Sequence, residues 1–565
     1  MMSSVKQNYD EAIQTLTQTG APFETAETEI DGITYTVFNN APSTMLEIYQ
    51  QAKQFGEKDF IVYEGERWSF DTLFDQADSL GHELVNSYQI KKGDRVAIAM
   101  RNYPEWMSAY IAITSIGGIA VLLNSWGSTA ELAFALEDSG SSLLFCDQAR
   151  FDLANDYLIS SGTNAIIARA EYNDLPLHAT AISSLSNSNP MPNIEIETQD
   201  SVMMMYTSGT TGKPKGAVSS HRALTQALTC FECTGTASAV INPKAIGAMI
   251  EKGFEPVQML TVPLFHVSGL HAVFLSALKA GRKIVMMFKW DAERALKYIE
   301  TERVTMMNAA PSMVLEFLEH PSFDRYDTQS LAGIGGGGSA TTPHTAKLMC
   351  EKIPNCYPGT GWGMTETNAI GASLSGEPFH HQPKSAGFLH PTVEVRVLDS
   401  QRNTLPKGEP GELWVKSAAL IQSYWNRPDA TDKDFSEGWF NSGDIGYFNE
   451  EGFLFLSDRA KDMVIRGGEN IYPAEIEAAI SDHAGIIEVA AFGIPDEKMG
   501  EQLAVAVVSR EASNISEDCV REFAASRLAK FKVPHHVWLR DQPLPRNPAG
   551  KILKKNLKEH YSVLV

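Results

Sequence analysis

Long uncharged runs are scarce in this sequence of 565 residues, and the most extended one is broken. From Met107 to Ala130 no charged residue occurs, but Gly117 and Gly118 divide the run. A membrane span asks for about 20 unbroken apolar residues. The first half carries helix-start signals in Asn102 and Pro104, and the second, Ile119 to Asn124, is rich in branched residues, so a buried helix followed by a buried strand is expected. The N-terminus has no basic patch followed by an apolar stretch, which argues against a secretory signal and makes a cytoplasmic enzyme the default.

Cysteine is also sparse, six residues in all, at positions 146, 230, 233, 350, 356 and 519. Cys230 and Cys233 form the single CxxC. Without a second pair at zinc-ligand spacing, buried free thiols are expected rather than a structural metal site. Positive charge is in deficit, with a formal net charge of −22, which excludes nucleic acid as a natural partner. The deficit is uneven. From Asp462 onward there are 15 acidic and 13 basic residues, and from Arg527 to Val565 nine basic residues face only Asp541 and Glu559. That last segment is either a solvated helix face or a cationic lid for an anionic ligand.

The composition, 43% hydrophobic and 21% charged, is that of a globular protein with several cores. Strand-like runs at Arg95–Met100, Ser142–Asp147, Val257–Phe265 and Lys283–Phe288 alternate with helical patterns such as Asp291–Arg303. That alternation predicts an α/β body with a mostly parallel sheet. The texture then shifts to short strands and turns (Val393–Lys416), a β-rich subdomain. After Asp458–Asp462 a fresh mixed pattern begins, so a boundary is expected near Lys461, giving a large domain 1–461 and a small one 462–565.

Within the large domain one loop stands out. Tyr206–Gly216, YTSGTTGKPKG, combines backbone freedom, hydroxyl donors and cationic tips within a few residues. Such a loop suits a polyphosphate, because glycine lets backbone N–H groups approach phosphate oxygens. It is not a Walker A loop: Gly209 and Gly212 are too close, and Pro214 follows Lys213. The run Gly333–Gly338 satisfies GxGxxG, but the acidic residue expected ~20 positions on is missing. In Pro358–Thr367, PGTGWGMTET, glycines flank Trp362 while Thr365 and Glu366 bring a hydroxyl and a carboxylate. A carboxylate beside a triphosphate suggests Mg²⁺. Asp444, in WFNSGDIGYF, could accept both hydroxyls of a ribose.

Taken in order, YTSGTTGKPKG, PLFHVSGL (Pro263–Leu270), GWGMTET, the GEL of Gly411–Leu413, NSGDIG, DRAKDMVIRGGENIYPAEIE and RNPAGKILKK resemble the core motifs of the adenylate-forming superfamily, over roughly residues 60 to 555. The resemblance implies a large N-terminal domain of αβαβα-layered sheets with a β-rich subdomain, and a small mobile α+β C-terminal domain. It also implies ATP, Mg²⁺ and coenzyme A as reactants or cofactors.

By that resemblance Thr207, Ser208, Gly209, Thr210, Thr211, Gly212 and Lys215 form the phosphate loop. Gly337, Gly338 and Ser339 lie along adenine, with Trp362, Gly363 and Met364 beside it. Trp362 stands where the family more often has Tyr, so stacking is kept and a hydroxyl lost. Thr365 would contact the α-phosphate, Glu366 the Mg²⁺, and Asp444 the ribose, with Arg459 nearby. Lys461 is the hinge, Lys551 the lysine carried in by the small domain, and Gly467 and Gly468 line the pantetheine tunnel. His266, Ser268, Gly335, Gly336 and Gly361 border the acyl pocket.

The implied activity is an acyl-CoA synthetase for a medium- or long-chain fatty acid, with an aryl or arylpropenoic acid as the alternative. A luciferase-like oxygenase or an adenylate-binding pseudoenzyme would share the motifs or the fold. A homodimer is left open.

Overall fold

The computed structural model describes residues 5–171, 174–185, 189–207, 214–336, 343–353, 357–459, 462–466, 469–496, 498–510, 513, 515–547 and 550–563. Two large sheets form the body, one of eight strands and one of nine. In the first, the strands Arg95–Ala99, Ile119–Leu122, Leu143–Asp147, Asn164–Ala168, Ala179–Ala181 and Ser201–Thr207 run parallel, and Lys215–Ser220 closes antiparallel on Ser201–Thr207. In the second, Asp59–Tyr63, Lys283–Met286, Val257–Leu260, Met306–Ala309, Gly333–Gly336 and Tyr357–Trp362 run parallel in that order.

Burial follows from the strand period of two. In Leu143–Asp147, Leu143 and Phe145 point into the core between the sheets, while Leu144 and Cys146 point to an outer layer. Met203 and Met205 divide from Met204 in the same way. Strands that bury both faces need no polar alternation, which is why these runs read as continuously apolar. The inner layer is helical: Met45–Lys53, Phe70–Asn86 and Pro104–Ser115 contribute to the largest core cluster, together with Phe60, Phe145 and Phe274. Full burial of each such Phe contributes about 1.5–3 kcal/mol. Helices on the outer faces complete a layered α/β body, and Thr129–Ser139 begins with a capping box at Ser128 and Glu131.

A five-stranded antiparallel sheet contains Glu394–Leu398, Gly411–Lys416 and Trp439–Phe448. It ends with Leu454–Arg459; Val464–Arg466 already belongs to a separate five-stranded sheet built on the long pair Ile486–Asp496 and Gly500–Ser509. The chain thus has a large N-terminal domain and a smaller C-terminal one. Lys461 itself lies outside the described residues. No described helix is long and apolar enough to cross a membrane.

Two expectations need correction. The strand expected over 257–265 stops at Leu260, because Pro263 has no N–H for a ladder and Leu264 N–H donates to Asn102 Oδ1 at 3.0 Å. Asn102 therefore ties this loop rather than capping the helix, whose first residue is Pro104 after Tyr103. The glycine run is not a nucleotide-binding turn at its start, since Gly333–Gly336 is a central parallel strand.

At least four of the nine basic residues in the cationic tail pair with carboxylates of its own domain. Lys532 pairs with Glu475, Arg546 with Glu488, Lys554 with Glu477 and Lys558 with Glu501. Those charges knit the small domain together and do not form a free basic surface.

Candidate active site

The antiparallel hairpin Ser201–Thr207/Lys215–Ser220 sets Thr207 opposite Lys215. The tip between them, with Ser208, Gly209, Thr210, Thr211 and Gly212, lies outside the described residues. Its base is firmly held. Tyr206 donates its hydroxyl to Asp138 Oδ2 at 2.9 Å. Lys215 Nζ sits 3.1 Å from Asp434 Oδ2 and 4.3 Å above the Tyr424 ring. The Tyr424 hydroxyl donates to Glu366 Oε1 at 3.0 Å. Burial, then the nearby Glu366 and Asp434 carboxylates, push this phenol well above its ordinary range, so it remains a donor.

Tyr424 reaches this position because the two-residue strand Ser423–Tyr424 pairs with the hairpin and Ile421 N–H donates to the Glu366 carbonyl at 2.9 Å. One tyrosine therefore joins Lys215 to Glu366. Tyr424→Phe keeps the ring under Lys215 but removes the donor. With Glu366 as the Mg²⁺ ligand that the sequence resemblance implies, the change should raise the half-saturating free Mg²⁺ for ATP binding about tenfold, read by titration calorimetry, since hydrogen bonds to charged groups are worth roughly 1.5–3 kcal/mol. An unchanged Mg²⁺ dependence would contradict this.

Gly363 and Asn368 shape the next turn. A Cβ at Gly363 would collide with the Ala369 carbonyl, and Met364 N–H donates to Thr367 Oγ1 at 3.1 Å. Thr365 and Glu366 open the single 3₁₀ turn Thr365–Thr367. It ends at Asn368 in the left-handed region, φ 48°. Asn368 donates to the Ala419 carbonyl at 2.8 Å, which fixes its amide, and its Oδ1 accepts from Ser219 at 2.9 Å and from His271 Nε2 at 3.0 Å.

His271 is completely buried, and desolvation holds it down to about 4, hence neutral at pH 7. His221 and His390 are buried and lowered to about 4 for the same reason. Each takes up its proton near 6.5 when unfolded, so stability is intact above about 6.5 and lost as pH falls toward 4, by about 1.4 kcal/mol per pH unit per histidine. The melting temperature should fall clearly between pH 6.5 and 4.5; a flat profile in a calorimetric scan would contradict the burial of these rings as neutral groups.

Trp362 ends the strand Tyr357–Trp362, and Asp444 lies within Trp439–Phe448. The indole Nε1 donates to Asp444 Oδ2 at 2.8 Å. Arg459 is placed opposite Asp444 in the antiparallel register. Gly337, Gly338 and Ser339 fall outside the described residues.

His266 precedes a short helical turn, Val267–Gly269, that continues as a π-helical stretch, Leu270–Leu275. Ser268 lies in the turn, and a Cβ at Gly269 would collide with the Pro263 carbonyl, so only glycine fits. His266 Nε2 is buried without a hydrogen bond among the described residues, and desolvation lowers this imidazole to about 4. Gly335 and Gly361 do not open space on their Cβ sides: a Cβ would meet Asn308 Oδ1 at Gly335 and the Ala372 carbonyl, 3.0 Å away, at Gly361. Gly336 pairs with Ala309 and Thr360 across its neighbouring strands.

The small domain reaches the same place. Asn547 and Lys551 close a tight turn, Lys551 N–H donating to Asn547 Oδ1 at 2.8 Å and Asn547 N–H to the Lys551 carbonyl at 2.8 Å. Gly550 in this turn has φ +80°, and a Cβ there would lie 2.7 Å from Ala310 Cβ. Ala310 directly follows the strand Met306–Ala309, whose neighbour is Gly333–Gly336, itself next to the strand that ends in Trp362. Lys551 is thereby brought to the carboxyl ends of the central parallel strands, where α/β folds hold ligands. Arg510 adds a contact to Glu319 at 3.3 Å. Gly467 and Gly468 lie outside the described residues.

Sequence reasoning missed Tyr424, Asp434, Asp138, Asn368, His271 and Ala310. Apart from Asp434, which lies in the charge-rich stretch 427–437, none sits in a glycine- or charge-rich run, and each acts through a pairing that only the fold creates.

An AMP-binding enzyme model matches residues 48–425, and its C-terminal domain model matches 475–551. The chain belongs to the AMP-binding, adenylate-forming enzyme family. Within it the chain is of the acyl-CoA synthetase type, the AMP-forming acid–thiol ligases. It is 34% identical over 488 residues to a long-chain-fatty-acid–CoA ligase of Mycobacterium tuberculosis, covering 86% of this chain and 91% of that one. It is 29% identical to a 4-coumarate:CoA ligase of Petunia hybrida, covering 84% of this chain and 86% of that one. The structure of o-succinylbenzoate CoA synthetase from Bacillus subtilis with its acyl-adenylate intermediate superposes with a TM-score of 0.74 at 29% identity, covering 90% of this chain and 97% of that one. In this AMP-binding enzyme, no three His, Cys, Asp or Glu side chains among the described residues cluster as a metal cage. The Glu366 carboxylate nonetheless fits Mg²⁺, which takes one or two carboxylates and fills its shell from substrate phosphates and water.

Proposed function

We propose that this enzyme converts a medium- or long-chain fatty acid to its acyl-CoA through an acyl-adenylate. The observation that supports the reading is the Gly550–Ala310 approach, which brings the turn bearing Lys551 against the end of the strand Met306–Ala309. A carboxylate is a poor electrophile. Its oxygen attacks the α-phosphorus of ATP, a new P–O bond forms, and the bond to pyrophosphate breaks. Positioning and charge neutralisation carry such a step.

The hairpin with Thr207 and Lys215 holds the β- and γ-phosphates, Thr365 contacts the α-phosphate, and Asp444 with Arg459 takes the ribose. Mg²⁺, held by Glu366, would neutralise phosphate charge. Lys551 bridges the acid's carboxylate and the α-phosphate as a point charge. In the second step the thiol sulfur of coenzyme A attacks the acyl carbonyl, the C–O bond to AMP breaks, and the thiol proton is released. Access for the thiol requires that the small domain turn about a hinge near Lys461, a gating motion.

The fatty-acid assignment follows the 34% identical relative. The 29% identical 4-coumarate ligase supports a second reading, an arylpropenoic acid. Incubating the chain with MgATP, coenzyme A and graded fatty and arylpropenoic acids, with products read by mass spectrometry, decides between them. Acyl-CoA from C8–C18 acids alone is the expected result; 4-coumaroyl-CoA as the main product would overturn the fatty-acid assignment.

A further inference from the structure

A nucleotide-binding carboxylate works only if its plane is fixed before the ligand arrives. Asp444 is 6% exposed, and its backbone N–H donates to Ser442 Oγ at 3.1 Å. These contacts set the main chain but leave the side-chain torsion to be fixed by something else. A neighbour that holds it is Trp362, whose indole N–H donates to Asp444 Oδ2 at 2.8 Å.

Trp362 is no loose platform. It is also 6% exposed, packed in a cluster with Ala227, Cys230, Ile370, Ala372 and Leu413. A Cβ at Gly371 would lie 2.9 Å from its ring, so the backbone there closes tightly on the indole. A ring clamped on this scale has one well-defined direction for its N–H, and indole nitrogen is a donor only. The hydrogen bond is to a charged acceptor in a buried setting, the class that counts most.

Resting on the nucleotide-site reading above, we propose that Trp362 is a positioning residue for sugar recognition. Its N–H turns the Asp444 carboxylate so that the ribose hydroxyls meet it in one orientation, and the enzyme's preference for a ribonucleotide depends on that bond. Tryptophan at this position thus does through its ring nitrogen what stacking alone would not require.

The test is equilibrium binding of ATP, 2′-deoxy-ATP and 3′-deoxy-ATP to the full chain by titration calorimetry. The unmodified enzyme should prefer ATP over at least one deoxy analogue. Trp362→Phe should weaken ATP about tenfold while changing that analogue much less, so the preference shrinks to within about threefold. Replacing the indole by the isosteric benzothiophene, through an unnatural amino acid, keeps the shape and deletes only the donor; the same loss of preference is expected. That variant serves if the Phe variant does not fold. Equal weakening of ATP and both analogues, or an intact preference, in the benzothiophene variant would overturn the inference and leave the nucleotide site standing. No ATP binding by the unmodified chain, or none that distinguishes the sugars, would overturn the site reading and the inference together.

Discussion

Lys551→Ala should abolish acid-dependent exchange of pyrophosphate into ATP, a loss of about a thousandfold or more, and leave thioester formation from supplied acyl-adenylate largely intact. The split follows from what each step requires. Adenylation brings a carboxylate anion against a phosphorus already surrounded by negative oxygens, and in the proposed mechanism the cationic tip of Lys551 is the group that the small domain delivers there. The turn that presents it is closed by two hydrogen bonds between Asn547 and Lys551. In the thiol step the leaving group is AMP, and the attack comes from a face that this turn must vacate. The two half-reactions can be measured separately on the same preparation. Equal loss of both would place Lys551 outside the role given to it.

Gly550→Val selectively weakens the first half-reaction as well, and here the cause is steric. A Cβ at position 550 would stand 2.7 Å from Ala310 Cβ, and φ +80° is a conformation that a β-branched residue resists. Either the turn distorts or the small domain backs away from the strand ends. Both move Lys551, and displacements of about 1 Å can cost a hundredfold when catalysis is positioning. The variant should lose about tenfold to a hundredfold in pyrophosphate exchange, yet keep its thioester activity. Ala310→Gly in the same chain should restore part of the loss, because it removes the atom that the new side chain strikes. No recovery, or a matched loss in the thiol step, would mean that this contact does not gate adenylation.

The large outlines were legible because they depend on local pattern. Runs such as Ser142–Asp147 are apolar on both faces, and a strand buried between helical layers needs no more than that. The motifs that point to the family were legible too, since hydroxyls, glycines and charges cluster in short stretches. What escaped is everything made by pairing across distance. Nothing near Tyr424 suggests that its hydroxyl meets Glu366, and nothing near Trp362 announces that its indole meets Asp444. The expected room beside Gly335 and Gly361 was misjudged from residue size alone, because a missing Cβ can admit the protein's own Asn308 side chain or Ala372 carbonyl as readily as a ligand. The cationic tail was likewise ambiguous until its partners, Glu475, Glu477, Glu488 and Glu501, were brought beside it.

The central claim is a two-step conversion through an enzyme-held acyl-adenylate, and one quenched reaction tests it directly. The chain is mixed with MgATP and a long-chain fatty acid, sampled for pyrophosphate and acyl-adenylate by mass spectrometry, and then given coenzyme A. Adenylate and pyrophosphate are expected before the addition, and acyl-CoA with an equal amount of AMP after it. Absence of adenylate across fatty and arylpropenoic acids, or an adenylate that coenzyme A does not discharge, would contradict the claim.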